Sequence, residues 1–360
     1  MQSEPDEPRP ARPQPASPAW KSRRVWAIGV ALVILASTLI GFAFAIRSER
    51  SRAHRGVPVR VNSLAAIDPR SGRVVADVPL GATPESLVAG FGRLWVGDQG
   101  HRMTVVRADD RRRTSTALPV DPQYLAAGAG GVWVFDSLAQ LVELDPRSVQ
   151  VVQSRRLWLC RLPGEGGALP ACGGGGVAVA DGRVWVGQAP GASYAAPHGI
   201  LVQVDGAGLR PLGRVRGVTI GQLGAGGGAV WSMGAAGRLE VDRIDPASGR
   251  VVRQTLGGIG GGAGNRPTNI VSGFGFVWAG AASRRLYRFA PGGGYVTFRL
   301  PAAPTAIASA PDGIWVATGH GRILRLNPSS GRVENTVSVG GRSPVGLAYA
   351  GGRIWVAVGS

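Results

Sequence analysis

From residue 57 to the end of the chain, apolar runs of four to six residues alternate with glycine turns. One pair marks the period: an aliphatic residue followed by Trp, just after a glycine. It recurs at Leu94-Trp95, Val132-Trp133, Val184-Trp185, Val230-Trp231, Val277-Trp278, Ile314-Trp315 and Ile354-Trp355. The Trp-to-Trp spacings are 38, 52, 46, 47, 37 and 40 residues, the length of a four-stranded propeller blade.

A second landmark sets the register. Pro84, Pro122, Pro267, Pro304 and Pro344 each lie eleven residues before their Trp. Proline cannot donate to a ladder, so each is predicted to open a strand rather than sit inside one. A glycine two or three residues before the Trp then closes a hairpin (Gly92, Gly131, Gly182, Gly228, Gly275, Gly313, Gly352) and leads into the Trp strand. The third strand often runs into Asp/Asn-Pro, as at Asp68-Pro69, Asp145-Pro146, Asp245-Pro246 and Asn327-Pro328, which suits the start of a type I turn. A fourth strand such as Arg332 to Ser338 completes the unit.

The chain stops just after the seventh Trp strand, so the last unit lacks its outer pair. Ser63 to Gly81, SLAAIDPRSGRVVADVPLG, supplies it, because it matches Gly321 to Gly340, GRILRLNPSSGRVENTVSVG. The predicted fold is therefore all-β: a seven-bladed β-propeller over 57–360, closed by two strands from each terminus, which leaves no gap between first and last blades. The longest spacing holds both cysteines and Gly173 to Gly176, and reads as a decorated loop between blades two and three.

One segment breaks the pattern. Val25 to Ile46, VWAIGVALVILASTLIGFAFAI, carries no charge over 22 residues. As a helix it would extend about 33 Å, enough for a hydrocarbon core of about 30 Å. Residues 1–20 then form a Pro-rich tail, 21–47 a transmembrane anchor and 48–56 a basic stalk. Five basic residues precede the apolar run and five follow it by Arg60, so charge bias does not orient the span. Cys160 and Cys172, the only cysteines, share one loop and read as a local disulfide of an oxidising compartment, which puts the N-terminus inside and the propeller outside the cell membrane. The loop has no further ligands for zinc. Ala43-Phe44-Ala45 resembles a signal-peptidase site, but the hydrophobic run is long for a cleaved signal.

Composition adds charge to this picture. The net charge is +18, and from Gly56 onward 31 Arg face 18 Asp and Glu. Such a field suits anionic lipid headgroups, acidic wall polymers or nucleic acid. The arginines are spread rather than clustered, so solubility and protection of sheet edges is the preferred reading, and nucleic acid is not an expected partner.

Candidate chemistry falls on two rings at one face. Three of the four histidines lie in loops between second and third strands: His101, His198 and His320. Glu85, Gln123, Tyr124, Thr268, Asn269, Thr305 and Val345 follow the first-strand prolines and are placed at the channel mouth, able to hold a small molecule or peptide or simply to hydrate the rim. The repeated tryptophans read as packing between blades. Local signatures GxSxG, HExxH, CxxC and GxGxxG are absent, and no metal site is read from the residues.

Segments such as APDGIWVATGHGRILRLNPSSGRV and SPVGLAYAGGRIWVAVG resemble the repeats of YVTN-type and streptogramin-lyase-like (virginiamycin B lyase-like) bacterial propellers, across residues 57–360. The lyase resemblance implies a histidine base with Mg²⁺ on the channel face, with His101 and His320 two blades apart. The acidic metal ligands that it also implies have no matching positions here. The leading expectation is a non-enzymatic binding or scaffold module for a protein, peptide or small molecule, with a metal-dependent lyase or hydrolase as the alternative and attachment to an anionic polymer as a third.

Overall fold

A computed structural model of the chain describes residues 56–157, 172–190, 198–235, 238–258, 267–281, 283–340 and 343–360. The predicted tail, anchor and most of the stalk lie outside these residues, as does Cys160.

The described residues form seven antiparallel sheets of four strands each. The Trp strand is second in every sheet, running for example Arg93–Asp98, Gly131–Phe135 and Gly313–Thr318. First strands meet in cyclic order from blade to blade, and that of blade seven, Ser343–Ala350, touches those of blades six and one, Pro304–Ala310 and Pro84–Gly90. The ring is closed.

Closure uses the two-plus-two exchange. In the seventh sheet Arg353–Gly359 pairs with Ser63–Asp68, Ala66 opposite Trp355, and Arg73–Pro79 lies outermost. A further edge segment covers this blade. Val57 N–H donates to Val74 O of the outer strand at 2.9 Å, and Leu80 N–H donates to Asn62 O at 2.8 Å, which extends the pairing of Ser63 with Pro79.

The core is the set of spaces between sheets, and the tryptophans fill it. All seven are at most 2% exposed. Five also bond back across their own hairpin: the indole N–H of Trp95, Trp133, Trp231, Trp278 and Trp355 donates to the carbonyl five residues earlier, at 2.9–3.2 Å. An indole N–H must find an acceptor when it leaves water. Trp315 instead uses the Asp312 carboxylate at 3.1 Å, while Trp185 Nε1 has no partner among the described residues.

The Asp/Asn-Pro turns form as the sequence suggests. Asp145 Oδ1 accepts from the backbone N–H of Arg147 and Ser148 at 2.8 and 2.6 Å, and Asn327 Oδ1 from Ser329 and Ser330 at 3.0 Å each. These side chains satisfy the turn's free N–H groups.

Two details differ from the sequence reading. Gly173 to Gly176 lies within a strand, Cys172–Ala180, the first of blade three, and not in a loop. Gly174 pairs with Gln188 and the ladder bulges before Val177. A Cβ on Gly174 would collide with the backbone oxygen of Asp136, so the run lets blade three approach blade two closely. The prolines also vary in role: Pro84 and Pro304 open their strands, whereas Pro122 and Pro267 precede theirs.

Candidate functional site

The seven first strands surround a central cavity of about 690 Å³. Each presents alternate side chains to this space, because successive residues of a strand face opposite ways. Glu85, Gln123, Tyr124, Thr268, Asn269, Thr305 and Val345, the ring expected after the prolines, all line it. Ser86, Gln222, Ser272 and Ser309 add polar groups, and Leu87, Leu223, Ile307 and Leu347 an apolar wall.

These residues divide by what their polar atoms already do. Asn269 Nδ2 donates to Ile307 O at 2.7 Å, and Asn269 Oδ1 accepts from Ile307 N–H at 2.8 Å. Its amide thus mimics a strand, joining blade five to blade six. Thr268 Oγ1 accepts from Gly280 N–H at 2.8 Å within blade five. Both side chains are committed to structure. Tyr124 is 8% exposed and packs with Trp133 and Phe135 in the space between blades two and three. Thr305 is exposed, free of such packing.

Glu85 stands apart. Among the described residues it is the only carboxylate that lines the cavity, and its pKa is raised, first by burial, then by the charge and hydrogen bond of Asp121, with His101 offsetting part of the effect. Asp121 sits one residue before Pro122, in the connection between blades one and two. The sequence reading took the residues after each proline and so missed it, although the proline itself marked the position. Ser86 Oγ donates to Pro122 O, which fixes this connection against the first strand of blade one.

The histidines lie outside the cavity lining. His101 and His320 occupy turns between second and third strands, both exposed, with φ of 52° and 63°. Glycine neighbours permit those turns. His198 belongs to a polar network between blades three and four. Arg253 Nη1 lies 2.5 Å from His198 Nε2, which is also 3.4 Å from Glu240 Oε2. Arg253 also pairs with Asp242 at 2.8 Å and with Glu240 at 3.6 Å, and Glu240 accepts from Thr219 Oγ1 at 3.0 Å. This network holds the connection between two blades, and no residue pattern in the sequence announced it. Among the described residues no three or more His, Cys, Asp or Glu gather as metal ligands. Cys172 lies in its strand; its predicted partner Cys160 is outside the described residues.

Fold and channel together define the class: a seven-bladed β-propeller with a polar-rimmed axial cavity. No protein-family model matches the chain, and no curated protein sequence does so either. Among solved structures, BamB from Moraxella catarrhalis is similar in fold, with a TM-score of 0.51 and 12% identity over 82% of this chain and 92% of that one. At that identity the likeness concerns the fold alone.

Proposed function

We propose that this chain is a non-enzymatic binding module, tethered to the cell membrane through Val25 to Ile46 with its propeller outside, built from repeats of the YVTN and streptogramin-lyase-like kind, and that it takes a protein segment, peptide or small molecule at the channel. The observation that carries the reading is the cavity itself. Its volume lies within the range of about 300–1,000 Å³ typical of ligand sites, and polar groups converge on an apolar wall. Asn269 and Thr268 hold that wall in shape, so the site is formed before a ligand arrives.

Thr305→Trp tests the reading. Thr305 is exposed at the rim, so a bulky side chain there obstructs the channel without disturbing the packing between blades. Full-length protein in detergent is used as bait for an extracytoplasmic extract, with circular dichroism to confirm folding. Capture of a partner by the parent chain and its loss in the variant is expected. Equal capture by both places binding elsewhere and ends the channel reading.

A further inference from the structure

The two faces of the ring expose different chemistry. First strands begin at the face with the channel mouth and end at the other, which is built from the hairpins between first and second strands and the turns between third and fourth. At two of those hairpins the sequence Gly-Phe-Gly sets a phenylalanine at the tip. Phe91 and Phe274 have φ of 55° and 56° and are 47% and 42% exposed. Neither ring belongs to the buried clusters between blades among the described residues. Blades two, three and seven place Ala129, Asp181 and Gly351 at the same position, so the hairpin itself has no need of an aromatic ring. A bulky apolar residue in the left-handed region is strained, and here it covers nothing in return.

Cations share this face with the two rings. The turns between third and fourth strands bring Arg70, Arg111, Arg147, Arg250 and Arg332 to it, and Arg183 closes the hairpin of blade three; all six are exposed. The acids of these turns are largely engaged. Asp68, Asp145 and Asp245 accept backbone N–H groups of their own turns at 2.6–3.1 Å. Asp109 and Asp110 are matched by Arg107 and Arg112 at 2.8–3.5 Å, and Asp181 is outnumbered. The field on this side is positive. The described chain also starts here: Val57 N–H bonds to Val74 O, just after the turn that holds Arg70. Ten residues, 47–56, separate Val57 from the apolar run, and four of them are Arg. Fully extended, they reach at most about 35 Å.

We propose that this face rests on an anionic lipid bilayer, with Phe91 and Phe274 entering the headgroup region and the arginines around them meeting lipid phosphates. The channel mouth then points away from the membrane, open to a partner. This rests on the tether in the reading above and is independent of what the channel binds. Aromatic rings are favoured at the boundary of water and hydrocarbon, and a guanidinium matches phosphate oxygens in pairs. Each contact alone is weak. A short tether holds the face at high local concentration beside the bilayer, so weak contacts suffice to orient it. A soluble polyanion would account for the arginines but gives the two rings nothing to bury in.

The test places the full-length chain in nanodiscs of phosphatidylcholine, alone or in equal parts with phosphatidylglycerol, and follows amide hydrogen exchange. In the anionic discs, exchange at the turns of Arg70, Arg147 and Arg250 is expected to slow at least about fivefold, the docked-to-free ratio that one arginine near such a surface supports. The turns of His101 and His320, on the other face, do not change. Phe91→Asn combined with Phe274→Asn suits both hairpins and so folds; it returns exchange to the rate in neutral discs. Equal exchange in the two discs overturns the proposal, and so does slowing at His101 and His320 instead. Slowing that survives the paired Asn variant reduces the face to a polyanion-binding surface and also overturns it. A chain that enters neither disc refutes the tether. Sedimentation with vesicles of the same two compositions then decides the lipid contact: it stands if the parent pellets with anionic vesicles and the Asn variant does not, and falls otherwise.

Discussion

Asp242 has no exposed side-chain surface, and Arg253 grips it through Nε and Nη2 at 2.8 Å each while Thr219 N–H donates to it at 2.6 Å. Its charge is buried but matched. Removing one member of such a pair leaves an uncompensated charge, so Arg253→Ala is expected to cost about 3 kcal/mol, read as a lower urea midpoint at unchanged slope. Asp242→Asn combined with Arg253→Met should recover much of that loss. Glu85 is the opposite case, half-buried with its charge opposed. A carboxyl whose folded pKa is raised destabilises the fold wherever it is ionised, and the penalty fades as pH falls toward the unfolded value. Glu85→Gln is therefore expected to raise Tm at neutral pH, with the gap closing in acid. A variant less stable than its parent at neutral pH would show that Asp121 and Glu85 are not in conflict. A gain in stability on removing a polar group is what a ligand site, rather than a structural one, should show.

The hairpins and turns between strands explain which elements the sequence discloses. Phe91 and Phe274 occupy the first central position of tight hairpins at φ of 55° and 56°, exposed to 47% and 42%. That position favours Asn or Asp, and a bulky residue there is strained. Phe91→Asn is expected to stabilise by about 0.5–1 kcal/mol, a part of the left-handed penalty of about 1–2 kcal/mol that Asn relieves. Calorimetry checks it; a loss would mean the ring has packing that its exposure hides. On the outer turns, Asp68, Asp145 and Asp245 have lowered pKa values, Asp68 chiefly through the Ser71 hydroxyl, and the other two through the N–H groups of Ser148 and Ser248. A depressed carboxylate contributes stability that is complete above its ordinary pKa, near 3.8, and is lost as pH falls through the folded value. Thermal stability should drop below about pH 4, and the drop should be shallower in a chain with Asp145 and Asp245 both replaced by Asn. Such turns were legible because their chemistry is local: Asp-Pro with Ser three residues on states the bond pattern outright. The same holds for Trp and the hairpin glycine. Glycine in Gly173–Gly176 was misread because its role is set by Asp136, Ile220 and Gly221 from other blades, which no neighbouring residue reveals. Asp121 and the Asp242–Arg253 pair escaped for the same reason.

At the scale of the whole ring, stability depends on closure, because each sheet is covered by its neighbours and has little core of its own. The seventh sheet joins residues from opposite ends of the chain: Leu64, Ala66 and Ala76 pack with Trp355, Leu94 and Val106 in one buried cluster, and Ile67 and Val74 with Trp315 and Val356 in the next. One terminal pair thus serves both flanks of the blade. Removing residues 57–80 strips this sheet to Ser343–Ala350 and Arg353–Gly359 and exposes the clusters on either side. A solenoid that lost a terminal repeat would keep the rest, since its units contact only their neighbours in a line. A closed ring has no such end. Deleting 57–80 is therefore expected to abolish the single cooperative urea transition, replacing it with a broad, shallow one, and to open blade one and blade six to hydrogen exchange before blades three and four. Uniform exchange around the ring, with an unchanged transition, would mean that the blades are stable individually and that the terminal exchange only tidies the seam. The channel gives the first outcome a functional consequence. Glu85 and Val345 sit on first strands either side of the closing junction, so a ring that loosens there loses the mouth of the cavity before it loses its fold. Ligand binding in the channel should then draw the two termini together, and the full-length chain should resist urea better with a channel ligand than without, by an amount that grows with ligand concentration.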